Sequence, residues 1–488
     1  MTTARKAKND APELPRLGAK VRAVRRRGGL SQQQLAEKLG ISASYLNLIE
    51  NHRRPLPAPL LVKLAQLFEM DLGSFAVDDD SRLVSDLMEA FSDRMFEGLH
   101  LTQHEVRELL QSQPTIARAI LTLYGAYAAA RGSAEHLAWR VVDEGDEEGA
   151  PRGFQLPSEE VSDLIQRHLN HFPELEEAAE ELWRRARFDR EQLYGNLIGY
   201  LHKAHGVAVE VVPHGAEPGI LRRFDARRGL LRLSELLPTR SRKFQVAHQL
   251  ALLEHHEVID GIVADPMLST DEARALARAA LANYFAAALL MPYGQFCSAA
   301  EEERYDIDVL GRRFRVGFEQ ACHRLTSLRR PGREGVPLHM IRIDVAGNIS
   351  KRFSASGIRF ARYSGACPRW NVFAAFMTPG MIRIQVSKMP DGEAYFCIAR
   401  SIQKDAGGFH AQHPVQAIGL GCRVEHAKRL VYSDGVELEG HETAVNVGVT
   451  CRLCERTDCE QRAFPSVGHA LRIEEDVRRL SVFTPVGR

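Results

Sequence analysis

The sequence predicts a multidomain chain: an all-α helix-turn-helix domain first, a mostly helical middle, and an α+β C-terminal domain carrying a cysteine metal site. Three observations predict this order. Two short capped helices joined by a glycine turn lie within the first 50 residues. Helical apolar spacing then dominates as far as residue 330, after which period-two alternation takes over. Three of the eight cysteines fall within the nine residues CRLCERTDC, Cys451 to Cys459, spaced C-x2-C-x4-C.

The bulk numbers suit this reading. A chain of 488 residues, 44% hydrophobic and 26% charged, divides into two to four domains that can each bury a core. No apolar run approaches the roughly 18 residues of a membrane span, and MTTARKAKNDAPELPR has no apolar signal region. A cytoplasmic protein with no membrane partner is therefore expected, its cysteines serving as buried thiols or metal ligands. The net charge of +1 conceals an asymmetry. Residues 1–60 hold 12 Lys and Arg against 4 Asp and Glu, a net of +8, so the remainder carries −7. A basic end on a near-neutral body is a footprint for a polyanion. A disordered basic tail explains residues 1–15, but not the periodic apolar pattern that begins at Leu17.

Residues 16–78 read as the helix-turn-helix domain. Leu17, Val21 and Val24 recur at helical spacing. Ser31 caps a helix from Gln32 to Leu39 that puts Leu35, Ala36 and Leu39 on one face, and Gly40 ends it. Ser42 caps the second helix, ASYLNLIENHRR, which buries Leu46 and Ile49 until Pro55 and Pro57 stop it. The pattern S-Q-x-x-L-A-x-x-x-G-I-S-x-x-Y-L-x-x-I-E resembles the XRE, lambda-repressor-like family over about residues 14–76. That resemblance implies a major-groove helix in which Ser42, Ala43, Ser44 and Asn47 face base edges. It places Gln32, Gln33, Arg53 and Arg54 for phosphates. Arg25-Arg26-Arg27 reads equally as a phosphate contact or a solvated run. The partner is a double-stranded DNA operator, and two-fold operators imply a homodimer or higher homo-oligomer.

Residues 79–150 read as a helical connector ending in the acidic loop DEGDEEGAPRG, Asp143 to Gly153. In residues 151–330, HGVAVEVV and GLLRLSELL suggest short strands among helices, and SRKFQVAHQLALLEHHEVID and TDEARALARAALANYFAAALLMP read as long apolar helices. Zinc peptidases of one class use H-E-x-x-H on a helix, two histidines binding metal and the glutamate activating water. AHQLALLEHH with LANYFAAALLMP downstream resembles the ImmA/IrrE metallopeptidase family over about residues 155–330. His248 stands, but Gln249 replaces the base, Leu252 replaces the second histidine, and Ala280-Leu281 occupy the region of the third ligand. Glutamine takes no proton from water and leucine holds no zinc, so a degenerate peptidase fold without catalytic residues is expected. His255 and His256 lie further along; a core or surface role suits them better than a metal.

Residues 331–488 form the α+β domain. MIRIDVAG, MIRIQVSKMPDGEAYFCIARSI and QAIGLGC alternate, with Pro390-Asp391-Gly392 as a hairpin turn. Cys451, Cys454 and Cys459 gather three sulfurs, and a closed site wants a fourth. Cys367 in GACPRW and Cys422 in GLGC are the candidates, ahead of Cys397, Cys322 and Cys297. Arg452, Arg456 and Arg462 would offset thiolate charge, which favours iron–sulfur weakly, with zinc as the alternative.

GACPRWNVFAAF, MPDGEAYFCIAR, GLGC, LVYSDG and CRLCERTDCEQRAFP resemble the C-terminal domain of the short-chain fatty acyl-CoA-responsive regulators, which include actinobacterial regulators of the methylcitrate and glyoxylate pathways. With the two preceding regions the resemblance spans nearly the whole chain, departing at Phe373, where a histidine is expected. It implies a four-iron (4Fe-4S) cluster on the C-terminal cysteines, expected on Cys451, Cys454 and Cys459 with Cys367 or Cys422 as the fourth ligand, and a short-chain acyl-CoA effector. The expected function is transcriptional control of propionate and acetate metabolism, without enzymatic activity. A redox-only regulator and an active metallopeptidase are the competing readings, His248-Gln249 and Leu252 opposing the second. For the acyl-CoA the sequence offers only a region: residues 221–243 are basic enough to meet CoA phosphates, or are a solvated face.

Overall fold

The computed structural model describes the chain apart from residues 1–17, 28–29, 51–53, 55, 69–77, 97–98, 100, 144–156, 216–218, 362–365, 405–408, 439–442, 453, 467–472, 474 and 484–488. It divides into two compact units, residues 1–88 with 102–120, and residues 89–101 with 121–488. The basic tail and most of the acidic loop expected from the sequence lie outside the described residues.

The first unit begins with α1 (Gly18–Arg27), α2 (Gln32–Leu39), α3 (Ala43–Glu50) and α4 (Ala58–Leu67). The Ser31 hydroxyl accepts from the Gln34 backbone N–H while the Gln34 side chain accepts from Ser31 N–H, a reciprocal cap that starts α2. Gly40 ends it at φ +72°, a left-handed conformation that favours glycine. Ser42 Oγ then accepts from Tyr45 N–H at 3.1 Å and starts α3. Val21, Leu35, Ala36, Leu39, Leu46, Ile49, Leu60 and Leu64 form the core beneath. Pro57 stands at the entry to α4, where its fixed φ suits a first helical turn. The connector expected at 79–150 is not a separate body. The start of α5 (Asp78–Phe91), α6 (Gln103–Ser112) and the start of α7 (Pro114–Asp143) belong to the first unit, and the rest of that region belongs to the second.

The second unit continues with α8 (Pro157–Arg167), α9 (Pro173–Ala186) and α10 (Leu193–His205). A three-stranded sheet comes next: β1 (Ala208–Val212), β2 (Arg222–Asp225) and β3 (Leu230–Ser234), in the order β1-β3-β2. The sequence SRKFQVAHQLALLEHHEVID is two helices, α11 (Thr239–Glu254) and α12 (His256–Val263), because His255 leaves helical geometry at φ −120°, ψ 25°. Then come α13 (Asp271–Leu290), α14 (Tyr293–Glu302), α15 (Ile307–Phe314) and α16 (Phe318–Thr326). Arg324 of α16 donates to Glu176 of α9 at 2.8 Å, and Tyr284 of α13 donates to the same carboxylate at 2.7 Å. The ion pair is 1% exposed on both sides, so its desolvation is tolerated only because each charge is fully bonded.

The last segment carries β4 (His339–Asp344), β5 (Ile349–Ser354), the short α17 (Asn371–Ala374), β6 (Arg383–Lys388), β7 (Ala394–Gln403), β8 (Val415–Arg423) and β9 (Val445–Asn446). They build one sheet in the order β5-β4-β8-β7-β6-β9, antiparallel except for β6 with β9. Gly392, at φ +89°, turns β6 into β7 at the expected Pro-Asp-Gly. The change of texture near residue 330 is a change of secondary structure and not of core. Met340, Phe396, Ile398, Ile418, Leu420 and Cys422 on one sheet face join the same cluster as the helices α8 to α16. The opposite face, with Ile341, Ile343, Tyr395 and Ala399, packs against Ile358, Cys367, Trp370 and Val372. Among the described residues no single helix is long and apolar enough to cross a membrane.

Candidate functional site

Three places hold the residues singled out by the sequence. The first is α3. Ser42, Ala43, Ser44 and Asn47 are all exposed, while Leu46, Ile49 and Glu50 are buried. Glu50 fixes this orientation. Its buried carboxylate receives Arg25 Nε at 2.7 Å, Arg25 Nη2 at 3.1 Å and Gln32 Nε2 at 2.7 Å, and its carbonyl receives Arg22 Nη2 at 3.1 Å. Burial alone would raise the Glu50 pKa; the bonds from Arg25 and Gln32 win and hold it below the usual carboxylate range. Gln32, assigned by resemblance to phosphate, is thus turned inward and bridges Glu50 and Asn47. Most of the Arg25 side chain is taken up by its pair with Glu50, which leaves it 12% exposed. Gln33 is exposed, as is Arg54, whose guanidinium lies 5.7 Å over the Tyr45 ring. Arg53 lies outside the described residues.

The second place is the relict peptidase centre on α11. His248 Nδ1 lies 2.9 Å from Asn283 Oδ1, and since that oxygen only accepts, the ring carries its proton on Nδ1 and presents a lone pair at Nε2. Burial, reinforced by Arg222, pushes His248 down to about 4. Gln249 Oε1 accepts from Arg222 Nη1 at 2.9 Å. Leu252 packs against the core and Leu281 is buried. His255 caps the end of α11 with its ring 4.6 Å from Phe285, and His256 is exposed on α12. Among the described residues no three His, Cys, Asp or Glu side chains converge on one metal ion. Sequence reasoning missed Asn283 and Arg222; neither is close in sequence to His248, and only the fold brings them there.

The third place is the cysteine loop. Cys451, Cys454, Cys459 and Cys367 line one small pocket with Pro368, Arg369, Thr450, Gln461 and Arg462. Cys367 N–H donates to Val449 O at 3.0 Å, which ties its turn to the loop. Cys422, Cys397, Cys322 and Cys297 do not line this pocket; Cys422 is buried within β8 and the main core. Burial pushes the Cys367 and Cys454 thiols up. A Cβ built on Gly448 would come 3.0 Å from Cys454 Sγ, so glycine lets the sulfur approach the backbone. Arg462, 4% exposed, holds the loop from inside. Its Nη1 donates to the Cys451 carbonyl at 2.7 Å and its Nη2 to those of Cys454 and Arg456 at 2.7 and 2.6 Å. Among the described residues its buried Nε has no partner. Arg456 donates to Lys388 O at 2.8 Å. These guanidinia build the loop as well as charging it. Phe373, where a histidine was expected, packs over Gly347.

A helix-turn-helix with an exposed recognition face, followed by a peptidase-like fold, marks the chain as a DNA-binding regulator. Family models match in three consecutive pieces: a helix-turn-helix domain at residues 16–73, an IrrE N-terminal-like domain at 202–326, and the C-terminal domain of short-chain fatty acyl coenzyme A regulators at 327–483. The chain belongs to the short-chain fatty acyl-coenzyme A regulator family. It is 40% identical over 462 residues to the HTH-type transcriptional regulator RamB of Mycobacterium tuberculosis, covering 94% of this chain and 96% of the relative. It is 40% identical over 460 residues to PrpR of the same organism, covering 94% and 93%. The propionyl-CoA carboxylase regulator of Cereibacter sphaeroides is 38% identical over 464 residues, covering 95% and 97%. A solved structure titled Mycobacterium tuberculosis transcriptional regulator matches with a TM-score of 0.65 and 42% identity, over 68% of this chain and all of that one.

Proposed function

We propose that this chain is an operator-binding transcriptional regulator of short-chain fatty acid metabolism, that it responds to short-chain acyl-CoA, and that Cys367, Cys451, Cys454 and Cys459 hold a four-iron cluster. The observation that carries the cluster is the pocket shared by four cysteines, one of them 84 residues from the nearest of the others. The donor set fits such a group. A zinc ion with sulfurs about 2.3 Å away would draw four thiolates nearly into contact with one another. An iron–sulfur cube spreads its thiolates around a larger body, and the unpaired Nε–H of Arg462 in the pocket wall is a donor suited to sulfur. When bound, such a cluster supplies a one-electron redox couple.

The test is anaerobic purification followed by a visible spectrum and assays for iron, sulfide and zinc. Iron and sulfide, lost when Cys367, Cys451, Cys454 or Cys459 becomes Ser, support the reading. Stoichiometric zinc, or neither metal, refutes the cluster. The effector is tested by titrating propionyl-CoA against operator DNA binding; an affinity indifferent to every acyl-CoA refutes that part.

A second reading, a redox response without acyl-CoA, draws on one contact. Arg452, beside Cys451, donates from Nη1 to the Ser92 carbonyl at 3.2 Å, immediately after α5, a helix that starts in the DNA-binding unit. It requires DNA affinity that tracks oxidation and ignores CoA thioesters.

A further inference from the structure

The relict centre holds a charge that its surroundings do not neutralise. Arg222 takes an inward position on β2. Phe224, two residues on and on the same face, packs against the main core, and Arg222 itself stands opposite the buried Leu233. An apolar side chain is the ordinary occupant of such a position. Its guanidinium instead reaches Gln249 Oε1. Among the described residues it has no other hydrogen-bond partner and no carboxylate at ion-pair distance. None of its N–H groups is buried without a partner, so those that Gln249 leaves free open to accessible space.

The three neighbours on hand are neutral. Gln249 stands where a peptidase carries its glutamate; a glutamate there would close the charge, and glutamine accepts one bond and leaves it open. His248 is held neutral and offers an acceptor at Nε2. Asn283 is exposed, and with its oxygen turned to His248 its amide N–H groups remain as donors. Half-buried cation, outward amide donors and an imidazole lone pair therefore flank one turn of α11, with Leu252 one turn further along.

We propose that the relict peptidase centre is an anion site, in which Arg222, with Asn283 at its rim, binds the carboxylate or phosphate oxygens of a small metabolite. The inference refines, and rests on, the reading of the chain as a regulator that responds to a small molecule. A short carboxylic acid and the phosphates of a CoA thioester share this chemistry. The guanidinium offers paired N–H groups to either, and binding supplies the counter-charge that the fold omits.

The experiment uses the full-length protein and its Arg222→Gln variant. Glutamine at 222 removes the charge while keeping a polar amide on β2. Melting curves and titration calorimetry are run with inorganic phosphate, propionate, CoA and propionyl-CoA. The expected result is that R222Q melts at or above the wild-type temperature without ligand, because an unneutralised charge has gone, and binds the anionic probe at least tenfold more weakly. Weakened propionate binding identifies a carboxylate ligand; weakened CoA and propionyl-CoA binding with propionate inert identifies phosphate. The proposal is overturned if R222Q binds every probe as the wild type does, or if the wild type binds none of the four. It is also overturned if R222Q melts lower while keeping full affinity, which would make Arg222 a structural strut. Release of operator DNA by propionyl-CoA, equal in both proteins, would remove this site and leave the acyl-CoA reading standing.

Discussion

Replacing Arg462 by lysine should open the cysteine loop without unfolding the protein. The arginine donates three short bonds from two nitrogens to three separate carbonyls, those of Cys451, Cys454 and Arg456. An ammonium has its three N–H groups on one atom and can keep about one of these. Hydrogen bonds from a charged group contribute roughly 1.5–3 kcal/mol each, so losing two removes about 3–6 kcal/mol from the closed loop. That is comparable with the stability of a whole small domain, but the loss is local. The described residues of 447–464 form no helix or strand, so the segment can open while the main core stays intact. At about 1.4 kcal/mol per tenfold, amide hydrogen exchange across 447–464 should accelerate at least about 100-fold. Exchange measured by mass spectrometry on wild type and Arg462→Lys, with iron per chain assayed in parallel, checks this. Equal exchange rates together with equal iron content would refute the role assigned to Arg462.

Cys367→Ser should lose iron and sulfide while Cys422→Ser keeps both, since only the first lines the pocket; matching metal contents in the two variants would break the assignment. Ser44→Ala and Asn47→Ala should each cost about 1–3 kcal/mol of discrimination between operator and mismatched DNA, while Gln32→Ala should act through folding of the first unit; mobility shifts and melting separate the two effects. Glu50 has a lowered folded pKa, so its stabilisation is present above the unfolded value of about 4.3 and is lost as pH falls through the folded one. The advantage of wild type over Glu50→Gln in the first unit should therefore shrink on acidification, and a gap independent of pH would refute the pairing. Burial pushes His248 and His255 down to about 4, and His323 and His339 to about 3. Below about pH 6.5 the unfolded chain takes up protons that these rings refuse, so the second unit should melt progressively lower from about pH 6.5 to 4; a flat melting profile contradicts this.

What was legible in the sequence was local. Ser31, Gly40 and Ser42 act within four residues of themselves, and each does in the structure what its cap position implied. Pro390-Asp391-Gly392 turns a hairpin for the same reason. The pairing of Arg25 and Gln32 with Glu50 spans 25 and 18 residues, and a basic run beside a recognition helix gave no sign that one arginine is consumed inside the fold. The strand β2 was hidden because RRFD reads as part of a charged stretch; its inward arginine breaks the alternation that marks a strand. The break between α11 and α12 carries neither glycine nor proline. At the break His255 packs its ring on Phe285, a contact 30 residues away that the local sequence does not show. Cys367 could be named as a candidate from the Cys-Pro pair, yet that it lines the pocket with Cys451, Cys454 and Cys459 while Cys422 does not is visible only in the fold.

That sheet also bears on how two inputs could act on one output. Its residues alternate strictly between two cores. Phe396, Ile398, Ile418, Leu420 and Cys422 belong to the same continuous core as the buried residues of α11 and α13, the helices that carry His248 and Asn283. Tyr395, Ala399 and Ala417, their neighbours in the same strands, pack with Cys367, Trp370 and Val447 beside the cysteine pocket. A close-packed plate transmits small displacements because its core has few voids to absorb them. The sheet thus separates the core that includes α11 and α13 from the one that borders the cysteine pocket. A ligand that moved α11 would reach that pocket only through this shared packing. Coupling of that kind is reciprocal in free energy. The physical basis for any joint control would lie in the core that continues across the change of texture near residue 330.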